Sequence, residues 1–366
     1  MSQLPTVPGI DRPIPVFLLT GFLGSGKTSL INRMLTEGGQ RTAVIINEFG
    51  DVPIDNDLVQ IDGEAASFAT TSTGCICCTP GSDALSALQQ LSEAIDDGQT
   101  GLVERVVIET TGLADPAPII NQLLAAARWR IGGRLFELAG VVTTLDAVRG
   151  GDTVTERLIG HKQLAFADRI ALTKSDLLGA DAAPRRAAMD LIVTKINPTA
   201  QVIDIQDPLA KAEDLLAPGH YTPSSRGDVL AWLEAESPLA RAFAPKSKQA
   251  DFLISRHVGI YTKSLILDAP IPQEDMIAFL DFLIKGAGPD LLRMKGLVAL
   301  TDDPDRPVIL HMVEGFLHEP QRLDAWPSED HRTRLVFIAD RIDEAALNRL
   351  AQQLLVPRRR RRRHAS

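Results

Sequence analysis

PVFLLTGFLGSGKTSLINRML, residues 15–35, passes from an apolar run through three glycines into a helical pattern. Val16–Thr20 reads as a buried strand, and Gly21, Gly24, Gly26, Lys27 and Thr28 satisfy G-x-x-x-x-G-K-[ST] in the strand–loop–helix context the motif requires. Glycines let consecutive backbone N–H groups curl around phosphate oxygens, and the following helix N-terminus adds its dipole. Lys27 then supplies a cation to the β- and γ-phosphates, and the Thr28 hydroxyl is placed to ligate Mg²⁺. Candidate nucleotide-binding residues here are Gly21, Gly24, Ser25, Gly26, Lys27, Thr28 and Ser29.

Outward from this loop, short runs rich in Val, Ile and Leu alternate with helical stretches. Strands are expected at Val16–Thr20, Ala43–Asn47, Val106–Glu109, Gly140–Thr144, Ile170–Thr173 and Val202–Ile205. This alternation predicts an α/β fold with a mostly parallel sheet covered by helices. Residues 207–251 accumulate Pro, Ser and charge, with one helix expected around Asp228–Glu236, and read as a connector. From Phe252 a smaller α+β pattern follows: strands at Val258–Leu267, Leu292–Leu300, Val308–Glu314 and Arg334–Ile338, and helices at Gln273–Lys285 and Glu344–Leu355. The expected organisation is a nucleotide-binding domain over 1–206, a connector over 207–251, a mostly antiparallel α+β domain over 252–356, and a tail over 357–366.

ALTKSDLL, residues 171–178, resembles the guanine signature N-K-x-D. In that reading Asp176 takes the N1 proton and the amino group of guanine, a donor pair adenine lacks, and Lys174 lies along the base. Thr173 replaces the usual asparagine and makes part of its contact. Two further segments occupy the positions of nucleotide switches. VIINEFGDVPID, residues 44–55, carries groups suited to Mg²⁺ or the γ-phosphate. VVIETTGLADP, residues 106–116, ends a strand with Glu109, a candidate Mg²⁺ and catalytic carboxylate, and continues to Gly112, whose N–H suits γ-phosphate sensing. Leu113 stands where fast GTPases place a water-orienting glutamine, so intrinsic turnover is expected to be slow.

Between these segments TGCICCTPG, residues 73–81, holds all three cysteines of the chain, Cys75, Cys77 and Cys78. Three thiolates at this spacing converge on one soft ion if the chain turns, and Gly74, Pro80 and Gly81 favour a turn. The set suits Zn²⁺, with Co²⁺ as the alternative. It leaves a fourth position for a partner, a water or a side chain such as Glu48. The seven histidines are scattered, with no pair at metal-ligand spacing on an obvious face.

No apolar run approaches the roughly 18 residues of a membrane span. The first residues, MSQLPTVPGIDRP, show no basic stretch followed by an apolar one, so a cytoplasmic protein is expected. The formal charge is −9, and removing the six arginines of Arg358–Arg363 leaves −15. The folded part is therefore acidic and a poor nucleic-acid binder; the arginine run reads as a solvated tail.

GFLGSGKT, INEFG, GCICC, ETTGLADP and the guanine signature, in this order, resemble the CobW-type metal-insertion GTPases, relatives of the nickel accessory proteins of urease and hydrogenase. The resemblance covers nearly the whole chain. It implies a GTPase that binds GTP or GDP with Mg²⁺, holds metal at Cys75, Cys77 and Cys78, and delivers it to a client metalloprotein. It places nucleotide roles on Gly24, Gly26, Lys27, Thr28, Glu109 and Asp176. The histidine-rich stretch of many relatives is missing. A monomer or weak homo-oligomer is expected. Two other readings stay open: a regulatory GTPase with purely structural zinc, and a non-enzymatic binding protein that uses its arginine tail.

Overall fold

The computed structural model describes residues 10, 12–37, 40–46, 66–70, 84–126, 130–217, 260–340 and 345, with backbone alone for 66–70. The expected helices at Asp228–Glu236 and Glu344–Leu355 fall outside these residues, Ala345 excepted, as do Glu48, Cys75, Cys77, Cys78 and the arginine run. The chain divides into two compact units, Met1–Ile192 with Ala200–Thr222, and Val193–Thr199 with Pro223–Ser366.

In the first unit the elements run β1 (Ile14–Gly21), α1 (Lys27–Glu37), β2 (Thr42–Ile46), β3 (Ala66–Thr70), α2 (Ala84–Asp96), β4 (Arg105–Glu109), α3 (Ala117–Ala126), β5 (Arg130–Ile131) and β6 (Arg134–Asp146). They continue with α4 (Gly150–Glu156), α5 (Leu158–Phe166), β7 (Arg169–Thr173), a 3₁₀ turn (Ser175–Asp181), α6 (Ala182–Ile196, whose residues from Val193 count with the second unit), β8 (Gln201–Asp204) and α7 (Ala212–Leu215). The sheet order is β3-β2-β4-β1-β6-β7-β8 and every pair along it is parallel; β5 forms a short antiparallel hairpin with β6. The expected α/β class is thus the observed one. The sequence reading misses β3 and β5, and β6 extends well beyond Gly140–Thr144 at both ends.

β1 sits at the centre, and its residues explain why. Phe17 and Leu19 pack with Leu30, Ile31 and Met34 of α1 in one cluster, while Val16 and Leu18, pointing the other way, are fully buried. A strand apolar on both faces is stable only with a layer on each side. α2 meets the core along Ala84, Ala87, Leu88, Leu91 and Ile95, a helical stripe. Residues 207–217, where Pro and charge gather, carry α7, whose Ala212, Leu215 and neighbouring Leu216 complete the cluster under α1.

The second unit holds β9 (Ile260–Leu267), α8 (Gln273–Gly286), β10 (Leu291–Leu300), β11 (Asp303–Val313), β12 (Phe316–Leu317), β13 (Gln321–Arg322) and β14 (Thr333–Asp340). Its order is β12-β11-β10-β14-β9, antiparallel throughout, with β13 on β11. Met276, Phe279, Leu280 and Leu283 of α8 pack on one face of this sheet, with the Phe279 and Phe337 rings edge to face at 6.2 Å. The small α+β pattern is as expected.

At the amino-terminal edge of the parallel sheet, Arg105 is 2% exposed. Its Nε donates to Thr42 Oγ1 at 2.6 Å, and its guanidinium makes a two-pronged pair with Glu213 of α7. Nothing in the sequence marks this pair, because its partners lie far apart in the chain. Arg105 is buried while the Glu213 side chain is 35% exposed; losing the carboxylate leaves the buried guanidinium without this partner, so Glu213→Ala is expected to cost about 1–3 kcal/mol of unfolding free energy. A denaturant titration checks this; a loss within about 0.5 kcal/mol, typical of a surface substitution, would show that the pair is not what anchors α7.

Candidate functional site

The motif residues meet at the carboxyl edge of the parallel sheet. β1 lies between β4 and β6, where the chain switches from building one side of the sheet to the other, and open α/β sheets bind ligands at such a point. Register fixes the alignment: Gly21 pairs with Thr144, Leu19 with Glu109, and Asp146 with Thr173. The ends of four strands thus bring together loops that are up to 150 residues apart in sequence.

The loop between β1 and α1 turns through Gly21, Gly24 and Gly26 at φ 140°, 70° and 93°, values an L side chain resists. A Cβ on Gly21 would lie 2.1 Å from Thr144 Oγ1. Lys27 and Thr28 open α1, so the helix N-terminus faces this loop. Lys27 is buried, its Nζ donating to the carbonyls of Gly21 at 3.0 Å and Phe22 at 3.3 Å. Thr28 is half-buried and Ser29 exposed. Ser25 is buried, its hydroxyl 2.6 Å from Phe22 O and 2.6 Å from Thr144 Oγ1.

The guanine-like loop is fastened to the phosphate loop directly. Thr173 Oγ1 donates to Ser25 O at 2.7 Å, and Lys174 Nζ donates to Gly24 O at 2.6 Å. Lys174 stands at φ 58°, one of two non-glycine residues with positive φ among those described, a conformation held only by its surroundings. Asp176 follows in the first turn of the 3₁₀ segment and is exposed. Ser175 Oγ donates to Asp204 Oδ1 at the end of β8 at 2.7 Å, while Asp204 Oδ2 accepts Arg186 at 2.8 Å.

On the other side of β1, Glu109 ends β4 and is 5% exposed. Thr110 Oγ1 donates to Thr20 Oγ1 at 2.9 Å, and Thr110 N to Leu19 O at 2.9 Å. Gly112 then backs onto the phosphate loop so closely that a Cβ there would sit 2.5 Å from Leu23 N. Leu113 is exposed. Beside the phosphate loop lies a cavity of about 510 Å³, bounded by Phe22–Ser25, the end of β6 and helices α4 and α5; neither Lys27 nor Thr28 lines it.

Three residues of this region escape the sequence reading: Asp146, Thr144 and Gln163. Asp146 caps the turn after β6, taking Val148 N at 2.7 Å and Arg149 N at 3.1 Å on Oδ1, while Oδ2 accepts Lys174 Nζ at 2.7 Å. Burial works against its charge, but the Lys174 ammonium and the two N–H groups outweigh it and hold the carboxyl below the usual range. The sequence signal was the L-D-A turn ending the strand before the guanine-like one, a position with no motif of its own.

Residues 15–204 match the family model described as CobW/HypB/UreG, nucleotide-binding domain, and residues 261–355 match the Cobalamin synthesis protein cobW C-terminal domain. The chain belongs to the CobW/HypB/UreG family. It is 30% identical over 338 residues to "Zinc chaperone YjiA" of Escherichia coli K12, covering 91% of this chain and 96% of the relative. It is also 31% identical over 366 residues to "Zinc chaperone CobW" of a Sinorhizobium species, covering 91% and 95%. The crystal structure of a Zn(II)-bound triple mutant of YjiA GTPase superimposes with a TM-score of 0.65 at 25% identity, over 94% of this chain and 99% of that one. The CobW-type nucleotide-binding and C-terminal modules thus account for both units of the fold.

Asp146→Asn keeps the size of the side chain and removes the charge paired with Lys174. A charge-assisted hydrogen bond contributes about 1.5–3 kcal/mol, so the variant is expected to lose stability on the order of 1–2 kcal/mol at neutral pH, the lower end suiting a partly solvated pair. Because the folded carboxyl ionises more readily than the unfolded one, this contribution is complete above 3.8 and disappears as pH falls through the lower folded value. Denaturant midpoints of both proteins should therefore differ by a constant amount above that pH and converge below it.

Proposed function

We propose that this CobW-family GTPase is a zinc chaperone that couples GTP hydrolysis to release of the ion into a client metalloprotein. Two observations together support the reading. Similarity to proteins named zinc chaperones runs through both domains, and the chain's only cysteines form one C-x-C-C cluster between its two switch-like segments. Cys75, Cys77 and Cys78, with Glu48 as a candidate fourth donor, would hold the cargo ion, which is Zn²⁺ by this reading and Co²⁺ by the alternative; all four lie outside the described residues.

The residues at the sheet edge suit GTP. The bare Cα atoms and positive φ of Gly24 and Gly26, next to the start of α1, leave backbone N–H groups to meet phosphate oxygens. Lys27, now bridging the Gly21 and Phe22 carbonyls, directly precedes Thr28 at the start of α1, so the same side chain can turn to a β- or γ-oxygen. Mg²⁺, when bound, would be held by Thr28 and Glu109 and would supply charge to the transferring phosphoryl group. Lys174, braced by Asp146 and Gly24, would flank the base, and the exposed Asp176 carboxylate would select guanine. Gly112, against Leu23, would offer its N–H to the γ-phosphate.

Coupling has a physical route in this arrangement. The cysteine segment lies between the two switch-like segments in the chain, with α2 joining it to β4, and a ligand shifts an equilibrium only by its differential affinity for two states. Zinc affinity should therefore differ between GDP and GTP forms. A cytoplasmic location, the client and a monomeric or weakly oligomeric state belong to the same proposal. Among the described residues no helix is long and apolar enough to cross a membrane.

The test is a Zn²⁺ competition titration against a chromophoric chelator, with GDP or a non-hydrolysable GTP analogue bound. Affinity that shifts at least about tenfold (~1.4 kcal/mol) between nucleotides and disappears in Cys75→Ser/Cys77→Ser/Cys78→Ser is expected. Tight binding indifferent to nucleotide would make the zinc structural. Equal binding by the triple variant would remove the cysteines from the site. In parallel, Asp176→Asn is expected to lower the preference for GDP over ADP by about tenfold or more, since a hydrogen bond to a charged group contributes about 1.5–3 kcal/mol; unchanged preference would place base selection elsewhere.

A further inference from the structure

We propose that Gln163 is a positioning residue for the γ-phosphate-sensing loop, acting by holding Gly112 in place from behind. The inference rests on the reading above that the Gly112 N–H meets the γ-phosphate. Gln163 lies on α5 and is 1% exposed. Its side-chain Nε2 donates to two carbonyls of the loop after β4, Gly112 O and Ala114 O, each at 3.2 Å. Its backbone carbonyl accepts Thr143 Oγ1 of β6 at 2.7 Å, which fixes this part of α5 to the sheet.

One primary amide with two hydrogens is the side chain that can satisfy two carbonyls in this way without adding a charge. Holding the Gly112 carbonyl fixes the plane of the 112–113 peptide, and the Leu23 backbone walls the Gly112 Cα on the phosphate-loop side. The Gly112 N–H belongs to the 111–112 peptide, whose carbonyl, Thr111 O, accepts Ala114 N at 3.0 Å; with both peptide planes that meet at the Gly112 Cα held, the direction of its N–H has little room to vary. The rest of the segment is tied down separately. Thr110 is hydrogen-bonded to β1. Asp115 takes Ala117 N at 3.0 Å and pairs with Lys162 Nζ at 2.5 Å. Gln163 therefore governs the middle of the loop, between two fastened ends, and a change there should be felt at Gly112 more than in the fold.

This predicts a particular selectivity. GDP has no γ-phosphate to meet Gly112, so a disturbance confined to Gly112 should spare GDP and weaken GTP. The experiment compares the full chain with Gln163→Glu and Gln163→Met, titrating fluorescent GDP and a fluorescent non-hydrolysable GTP analogue in the presence of Mg²⁺. Gln163→Glu sets a carboxylate oxygen against two carbonyls; Gln163→Met keeps the length and removes the donor. In both, affinity for the analogue is expected to fall about tenfold while that for GDP stays within about twofold, the size of one lost charge-free contact network. In Gln163→Glu the loss should shrink as pH falls, because the protonated carboxyl again donates; in Gln163→Met it should not.

An equal loss for both nucleotides, or no loss in a variant that melts as wild type does, overturns the proposal. If Gln163→Glu does not fold, Gln163→Met carries the comparison. Gly112→Ala separates this proposal from the reading beneath it. Should Gly112→Ala lose analogue affinity while the Gln163 variants keep it, the positioning role alone falls. Should Gly112→Ala keep it too, the γ-phosphate role of Gly112 falls and the proposal with it.

Discussion

A loop that turns its N–H groups toward an anion must turn carbonyls the other way, and each buried carbonyl needs a donor. That requirement organises the whole carboxyl edge of the parallel sheet. Thr20 O takes Thr144 Oγ1, Gly21 O and Phe22 O take Lys27 Nζ, and Phe22 O also takes the Ser25 amide and hydroxyl. Gly24 O takes Lys174 Nζ, Ser25 O takes Thr173 Oγ1, and Gly26 O takes Leu30 N within α1. Apart from Ser25 within the loop, the donors come from β6, the end of β7 with the residue after it, and the first helix, so the phosphate loop is in effect the hub to which these elements are attached.

This explains why Thr173 can stand where an asparagine is usual. The position must reach the Ser25 carbonyl, and a hydroxyl donating its one hydrogen at 2.7 Å does so. It also explains Asp146. Lys174 sits in a left-handed conformation and carries a charge close to a carbonyl of the phosphate loop; a carboxylate capping the neighbouring strand end gives that ammonium a second fixed partner.

How much of this could be read from the amino acids follows from where each signal resides. β1, α1 and the phosphate loop were legible because glycine spacing, Lys27 and Thr28 and a flanking apolar strand all fall within about 20 consecutive residues. Strands β4 and β7 carried clear Val and Ile runs. β3, ASFAT, was missed because five residues that are small or polar apart from Phe68 hold no alternation that marks a strand. α7 was missed because four residues with a run of charge have no helical period; burial of Leu215 under α1 makes it a helix. Asp146, Gln163 and Arg105 were invisible for a different reason. Each acts through a partner 28 to 108 residues distant, and a single sequence records no such pairing.

Leu23 illustrates a division between main chain and side chain. Its backbone presses against Gly112, while its side chain stands 59% exposed at the tip of the loop. The wall that Gly112 meets is mostly main chain, Leu23 N and Cα, with the Leu23 side chain reaching it only through Cδ2. One residue thus serves two surroundings: its main chain and one methyl back the glycine, while the rest of its side chain meets solvent.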